Sequence, residues 1–555
     1  MRSFWSNKRA KYILMGIHAL CTLIWARLVF INVGINPSGT VALNSKVSDS
    51  AELVITYILT EAIALFFIFL LWNLIFKVFG NFRKKYIPFL IIYSVGTVCI
   101  LLAWPEVLIG ILGMDDNLVT FAAGVRLTPD YWHSAYSSMI YAASKLLFPL
   151  NFSVTLVQWT FAFYVFTYIW FRAEKNFGKL KYLLLIVLAF PGILFVAANG
   201  HRIYPYALLT ILFFATIAFD IVEQRKRKPS EMLVLTVAAA FLSVWRSEGI
   251  ILGALGLGVY LLYTYGRKIL RTAGFVAVFL CFFVLFSLPQ KIGSIKYYGS
   301  DYSIYNSFVT LEHILNDPDA NLSYDGAADD LKAIDAVVPI RYIKRYAVDG
   351  FRRYNYSVKG NKDINQTGCT AEEGKAFETA YTGLILHNPR IYIKTQVAKL
   401  LGSVGIYDAV RFEVSTDPEP SSELAEWEYC GWTEGYSDFF SEKAAVLWRD
   451  LGLRGRIGRK VYRTRNDYLE FLMDHRLYAG FAAALILAGI FTFFRSFFDK
   501  KKYRTWLGLL CGVVLLNFCA VAAVMPDGHL IYLTTTIYPL LLILMTFWCK
   551  RKECD

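Results

Sequence analysis

The chain has 555 residues, 56% hydrophobic, 16% aromatic and only 18% charged, with a formal net charge of +14. Soluble domains carry roughly 45–50% apolar and about 25% charged residues, so this chain lacks the polar surface to cover a water-soluble particle and belongs in a membrane. The same composition excludes a disordered chain, and 9 Cys in 555 residues exclude a disulfide-dense secreted scaffold.

A helix crossing about 30 Å of hydrocarbon needs roughly 20 apolar residues. In chain order such runs start near Tyr12, Leu53, Ile87, Val154, Tyr182, Tyr204, Met232, Ile250, Thr272, Leu477, Thr505 and Leu530. They predict an all-α polytopic membrane protein of about 12 transmembrane helices by the length rule. The first run follows Arg2, Lys8, Arg9 and Lys11 without a small-residue cleavage site, so it reads as a retained span. The stretch from Met232 to Tyr265 is interrupted by Trp245-Arg246-Ser247-Glu248-Gly249. It is read as two short helices meeting at a polar turn, because an Arg and a Glu at mid-membrane are costly.

The loops alternate in charge. Loops 1–11, 77–85, 172–181, 225–228, 267–271, 495–504 and 550–552 hold 27 Lys and Arg, whereas 33–50, 114–151, 199–202, 245–249 and 525–529 hold 5. The positive-inside bias places the first set and both termini in the cytoplasm. The excess charge is thus a record of orientation, and a basic surface for nucleic acid is not expected. Three regions follow: a transmembrane region 1–289 with spans one to nine and the outer loop 114–151, an extracytoplasmic domain 290–476, and a transmembrane region 477–555 with spans ten to twelve and a short cytoplasmic tail.

The exterior domain between spans nine and ten carries 24 basic and 27 acidic residues, a slight negative balance. Apolar residues recur at helical spacing in Ala376–Leu386 and again in Ile391–Leu401, separated by the helix break His387-Asn388-Pro389. The second of these helices is amphipathic, and reads as an outer-leaflet helix or as an ordinary surface helix of the domain. Cys369 and Cys430 are the only Cys of this domain and stand on the side where a disulfide is permitted. The basic run Arg454, Arg456, Arg459, Lys460, Arg463 and Arg465 reads as a solvated face, and Arg27 and Glu61 as a pair tying the first two spans.

Polar residues with chemical capacity gather in the outer loops: Asp115-Asp116, Asp130, Trp132-His133, Asn199, His201-Arg202, Arg246, Glu248, Asp527 and His529. Ionisable groups at the membrane boundary are functional candidates. Asp115-Asp116-Asn117 opens a short helical stretch, Leu118 to Val125. Carboxylates at a helix start are held ionised by the local dipole, as a base or a cation ligand requires; an N-cap is the alternative. Thr128-Pro129-Asp130-Tyr131-Trp132-His133 follows, and then Ser134 to Phe148, rich in Tyr and Ser, which reads as an interfacial helix. No P-loop, zinc spacing or haem motif is present, which argues against an ATP-driven pump or a metalloprotease.

This outer segment resembles the first catalytic loop of the GT-C glycosyltransferases: an Asp pair after a span, a short helix, a Trp-His turn and a second juxtamembrane helix. Arg246-Ser247-Glu248-Gly249 is similar to an Arg-x-x-Gly turn between short helices, and His387-Asn388-Pro389-Arg390-Ile391-Tyr392 to a helix start in the exterior region of bacterial members. Asp527-Gly528-His529 with Tyr532 and Tyr538-Pro539 resembles the family's Asp-Arg-Tyr element, with His529 where Arg is usual. The resemblance implies a GT-C-like fold and transfer of a sugar from a polyprenyl-phosphate-linked donor to a glycan, glycolipid or protein acceptor outside the cell membrane.

Such a transfer needs a base for the acceptor proton and positive charge for the leaving phosphate. Asp116 is the expected base, with Asp115 its partner or, if a divalent ion such as Mg or Mn is used, its ligand. Arg246, Arg202 and His201 are the expected phosphate holders, with Glu248 beside Arg246. A snorkelling anchor is the alternative for Arg202 and a structural ion pair for Arg246. His133, Asp130, His529 and Asp527 are expected at the acceptor or sugar. The competing readings are an O-antigen ligase or polymerase-like enzyme, which relies on Arg and His, and a flippase for lipid-linked saccharides.

Overall fold

The computed structural model describes residues 7–35, 50–80, 86–103, 134–147, 153–190, 203–246, 248–266, 268–298, 307–337, 371–403, 477–524 and 534–548, with isolated positions within 339–343 and 456–471. Every regular element among them is helical. The chain divides into two units, one of Met1–Lys181, Leu194–Leu212 and Ala444–Tyr468, the other of Tyr182–Ile193, Phe213–Lys443 and Leu469–Asp555.

The first unit contains α1 (Lys8–Ile35), α2 (Ser50–Gly80), α3 (Ile87–Ala103), α4 (Ala135–Leu147) and α5 (Ser153–Phe177). Gly178, at φ +59°, is the left-handed residue where α5 gives way to a 3₁₀ run, Gly178–Ala189. Helices in lipid gain nothing from hiding apolar surface from each other, so close packing and interhelical hydrogen bonds hold them. Both appear between α3 and α5. A Cβ on Gly96 would stand 2.6 Å from the Trp159 ring. Trp159 Nε1 donates to Thr97 Oγ1 at 3.1 Å, and the Tyr93 and Thr160 hydroxyls meet at 2.7 Å.

The next helix, α6 (Ile203–Val222), belongs to the first unit up to Leu212 and to the second from Phe213; in the second unit α7 (Pro229–Trp245), a π-helical turn (Ile251–Leu255) running into α8 (Gly256–Tyr265), and α9 (Ile269–Tyr298) follow in order. Then come α10 (Phe308–Asn316), α11 (Ala327–Val337), α12 (Ala371–His387) and α13 (Pro389–Ser403), and finally α14 (Leu477–Phe497), α15 (Lys502–Val524) and α16 (Thr534–Trp548). The Tyr260 hydroxyl of α8 donates to Asp220 of α6 at 2.9 Å, and Tyr263 meets Trp506 of α15 edge-on. The Arg504 guanidinium pairs with Asp499 at 2.9 Å and lies over the Phe547 ring of α16. These contacts bring the turns after α6, α8 and α14 to one end of the unit, as alternate loops of a multi-pass chain require.

The helical part between α9 and α14 has its own core: Leu311, Ile314, Ile334, Phe377, Leu384 and Ile391 are buried together. The break at His387-Asn388-Pro389 is a clamped corner. Asn388 Oδ1 accepts from the Asn321 amide at 2.7 Å, and Nδ2 donates to Leu384 O at 2.9 Å and Asn321 O at 3.1 Å. Tyr324 stacks on His387 with centroids 3.7 Å apart and donates to Asp330 Oδ2 at 2.5 Å. Burial first and that carboxylate second push the Tyr324 phenol well above its ordinary range. Because Asn388 is buried and satisfies three backbone groups, Asn388→Ala is expected to cost about 2–3 kcal/mol. The check is the melting temperature of the purified protein; an unchanged value removes the clamp.

The expectation of twelve spans is overturned. Among the described residues 6 helices are long and apolar enough to cross a membrane: Ile58–Phe76, Ser153–Ile186, Ile203–Val222, Ile269–Lys291, Tyr478–Ser496 and Lys502–Ala522. The runs starting near Val154 and Tyr182 make up one continuous stretch of 34 residues rather than two spans. The runs at Ile87, Met232, Ile250 and Leu530 become helices of 10–17 residues, which at 1.5 Å per residue reach no more than about 26 Å, short of the hydrocarbon core. α1 is not among the six; Lys8, Arg9 and Lys11 occupy its first turn. With that count the twelve-span, GT-C-like fold, and an exterior domain numbered between spans nine and ten, are set aside. What stands is an all-helical, multi-pass membrane protein.

α4, expected as an interfacial helix, is packed within the protein, every residue but Lys145 being buried. α13 is not amphipathic in the usual sense, since it buries Thr395 and Lys399 and exposes Ile393 and Val397. Cys369, Cys430, and the side chain of Arg27 that was expected to pair with Glu61, lie outside the described residues. Of the basic run, Arg456, Lys460 and Arg463 are exposed.

Candidate functional site

In the first unit α4 buries several polar side chains inside the bundle. Ala26 of α1, Ala64 of α2, and Ala142 and Ala143 of α4 are all buried in one cluster, and their small side chains let the three backbones approach. The end of α4 is fixed by His18, ten residues beyond the start of α1 and hence about 15 Å along it. His18 Nε2 contacts the Leu147 carbonyl at 3.1 Å, and its Nδ1 accepts from Trp72 Nε1 at 3.3 Å. With Nδ1 the acceptor, Nε2 carries the proton and donates to the carbonyl. A helix end leaves its last carbonyls without intrahelical partners, and His18 supplies a donor to one of them.

The apolar side of α4 faces that cluster. On the opposite side Ser134, Ser138, Tyr141 and Lys145 recur at three- and four-residue spacing and form one line, with Ser137 beside it. The four hydroxyl-bearing residues Ser134, Ser137, Ser138 and Tyr141 are all buried. Ser138 Oγ donates back to Ala135 O at 3.0 Å, whereas the Ser134 hydroxyl has no hydrogen-bond partner among the described residues. A line of buried hydroxyl-bearing residues ending in a half-buried Lys, within a membrane protein, is expensive to keep and is a functional candidate. Sequence reasoning noted the Tyr and Ser content here but chose no residue from it. The signal available was the polar spacing together with Lys145 in an otherwise uncharged helix.

In the second unit the polar turn between α7 and the π-helical segment holds Arg246 and Glu248. Arg246 Nε donates to Glu248 Oε1, and the two side chains are 19% and 13% exposed. The turn is closed by backbone bonds from Gly249 N to Arg246 O at 2.9 Å and from Ile251 N to Glu248 O at 3.1 Å. π turns within helices are frequent at functional sites. This one presses against α7 at Gly253, where an added Cβ would overlap Ser243 Oγ and the Ala239 carbonyl. Gly253→Ala is therefore expected to cost about 1–3 kcal/mol by overpacking against backbone. Melting in detergent checks it, and wild-type stability would show that the two helices are free to separate.

Of the residues chosen from sequence, Arg246 and Glu248 are thus neighbours in an ion pair, in keeping with the structural alternative for Arg246. Asp115, Asp116, Asp130, His133, His201, Arg202, Asp527 and His529 lie outside the described residues. Among the described residues no group of three or more His, Cys, Asp or Glu is arranged to hold a metal ion.

One buried carboxylate was missed by sequence reasoning. Asp220 is fully buried near the end of α6, where it accepts from Tyr260 and, at 2.5 Å, from Arg227 Nε. The helix closes just beyond it with Arg225 N bonded to Asp220 O at 2.8 Å and Gln224 N to Ile221 O at 3.2 Å, around Gln224 at φ +54°. This is the hydrogen-bond pattern of a Schellman cap, whose left-handed position favours glycine. Gln224→Gly is expected to raise stability by about 1 kcal/mol, read as a higher melting temperature; a lower one would contradict the left-handed assignment. Compared with models of protein families, with curated proteins and with solved structures, the chain gives no match.

Proposed function

We propose that this multi-pass membrane protein is a glycosyltransferase that moves a sugar from a polyprenyl-phosphate-linked donor to an extracytoplasmic glycan, glycolipid or protein, in the manner of GT-C enzymes. The acceptor oxygen attacks the anomeric carbon, the bond from that carbon to the phosphate oxygen breaks, and polyprenyl phosphate leaves with the electron pair. Asp116 takes the acceptor proton, with Asp115 as its partner or as ligand of a Mg or Mn ion. The phosphate-holding role is assigned to Arg246, oriented by Glu248, and to Arg202 and His201, and the sugar- or acceptor-contacting role to Asp130, His133, Asp527 and His529.

The observation that carries this reading is the polar line of α4. It gathers buried hydroxyl-bearing residues and Lys145 on one side of a helix, starting one residue after His133 in the chain. A headgroup tethered to a long apolar chain needs polar partners that water does not reach, and charge-assisted contacts suit its phosphate. The test is to purify the protein in lipid and identify co-purifying polyprenyl phosphate or its sugar conjugate by mass spectrometry. Lys145→Gln and Arg246→Gln are expected to lower the bound amount roughly tenfold. Absence of any such lipid from the wild-type protein defeats the reading.

The same line favours a second reading. Polar groups sunk into the bundle and the interrupted helix at 246–255 are also what a flippase for lipid-linked saccharides would use. Vesicles with the protein but no acceptor separate the two: a flippase moves a labelled polyprenyl-phosphate sugar between leaflets, and a transferase leaves its distribution unchanged.

A further inference from the structure

α13 joins two clusters of the second unit. Ile391, near its start, belongs to the buried core shared with Phe377 and Leu384. Leu400, near its end, packs against the cluster of Tyr478, Ala482, Phe518 and Ile537. Those four residues lie within the first or last two turns of α14, α15 and α16. They stand at the end of the bundle opposite the Asp499–Arg504 turn, up to about 9 Å inside the helix ends at 1.5 Å per residue. α14 and α15 are long and apolar enough to cross a membrane. Leu400 therefore meets the bundle near the ends of helices of membrane-crossing length.

The outward side of α13 is apolar. Ile393, Val397 and Leu401, spaced four residues apart, are 60%, 49% and 36% exposed, while Thr395 and Lys399 on the inward side are 3% and 2% exposed. A helix facing water is arranged the other way round. Arg390 and Lys394 are exposed beside the upper end of this stripe, and Ile393 is about 12 Å along the helix from Leu401, roughly the reach from acyl chains to headgroups.

The geometry points to α13 as a membrane-contacting helix. Val397 and Leu401 lie against the acyl chains of the leaflet nearest the exterior domain, Ile393 lies at their boundary, and Arg390 and Lys394 extend to lipid phosphates, as basic side chains flanking an apolar face do. Lipid is the occupant because the stripe continues from a contact with spanning helices and carries cations at its headgroup end. A second copy of the chain would gain far less area from three residues of one helix than a stable interface needs. The exterior domain is thereby held down on the bilayer through α13.

Benzoylphenylalanine placed singly at Ile393, Val397 and Leu401 tests this in the full chain, reconstituted in vesicles of phosphatidylethanolamine and phosphatidylglycerol. All three positions are exposed, so the label is tolerated. After irradiation, intact mass spectrometry is expected to show phospholipid adducts at all three in roughly fivefold excess over the same label at Glu372 or Lys375, which are exposed on α12. Lipid adducts no more frequent than at those controls, or adducts to a second copy of the chain, overturn the proposal.

Discussion

Asp116→Asn is expected to lower sugar transfer by about 10²–10⁴-fold, the usual contribution of a positioned general base, while co-purification of the lipid-linked donor stays at the wild-type level. The carboxamide occupies nearly the same volume but has no basic oxygen to receive the acceptor proton. Asp115→Asn is expected to have the smaller effect of the two, and the double variant to match Asp116→Asn. A ligase-like mechanism that relies on Arg and His gives the opposite pattern. In that case both Asp variants retain activity, and Arg246→Ala and His529→Ala lose it. Measured with a synthetic polyprenyl-phosphate sugar in lipid, full activity in the double Asp variant would remove the base from the proposal.

Asp220→Ala is expected to destabilise the protein by about 3–5 kcal/mol, the cost of breaking a buried charge pair from one side. Asp220 is fully buried and is the common acceptor of Arg227 and Tyr260. Its removal leaves the turn after α6 without the contact that joins it to α8. Tyr260→Phe removes one neutral donor and is expected to cost about 1 kcal/mol. Thermal unfolding in detergent, followed by helical circular dichroism, reads both. Equal melting temperatures for Asp220→Ala and the wild type would show that this buried pair contributes nothing net.

Some local features were legible because they depend on chain chemistry alone. The polar turn at Trp245–Gly249 marks two short helices, since an Arg and a Glu cannot be left within an apolar helix at low cost. The break before Pro389 follows from the missing N–H of proline. The span count was not legible in the same way. Hydropathy measures how long an apolar run is, whereas crossing requires that the run be one helix of sufficient rise, and four runs proved too short.

The candidate site was legible only in part. Arg246 and Glu248 stand two residues apart, so their meeting needs little beyond a tight turn. Asp220 and Tyr260 are forty residues apart, and neither side chain advertises the other. The sequence by itself determined membrane residence, helical class and the alternation of charged loops, because composition and hydropathy act residue by residue along the chain. Only the tertiary structure decided that α4 is buried among other helices, and that α13 turns its apolar side outward. Both outcomes depend on which surface each helix meets: the small residues Ala26 and Ala64 open a slot for α4, and the burial of Ile391, Thr395 and Lys399 fixes which side of α13 is left exposed.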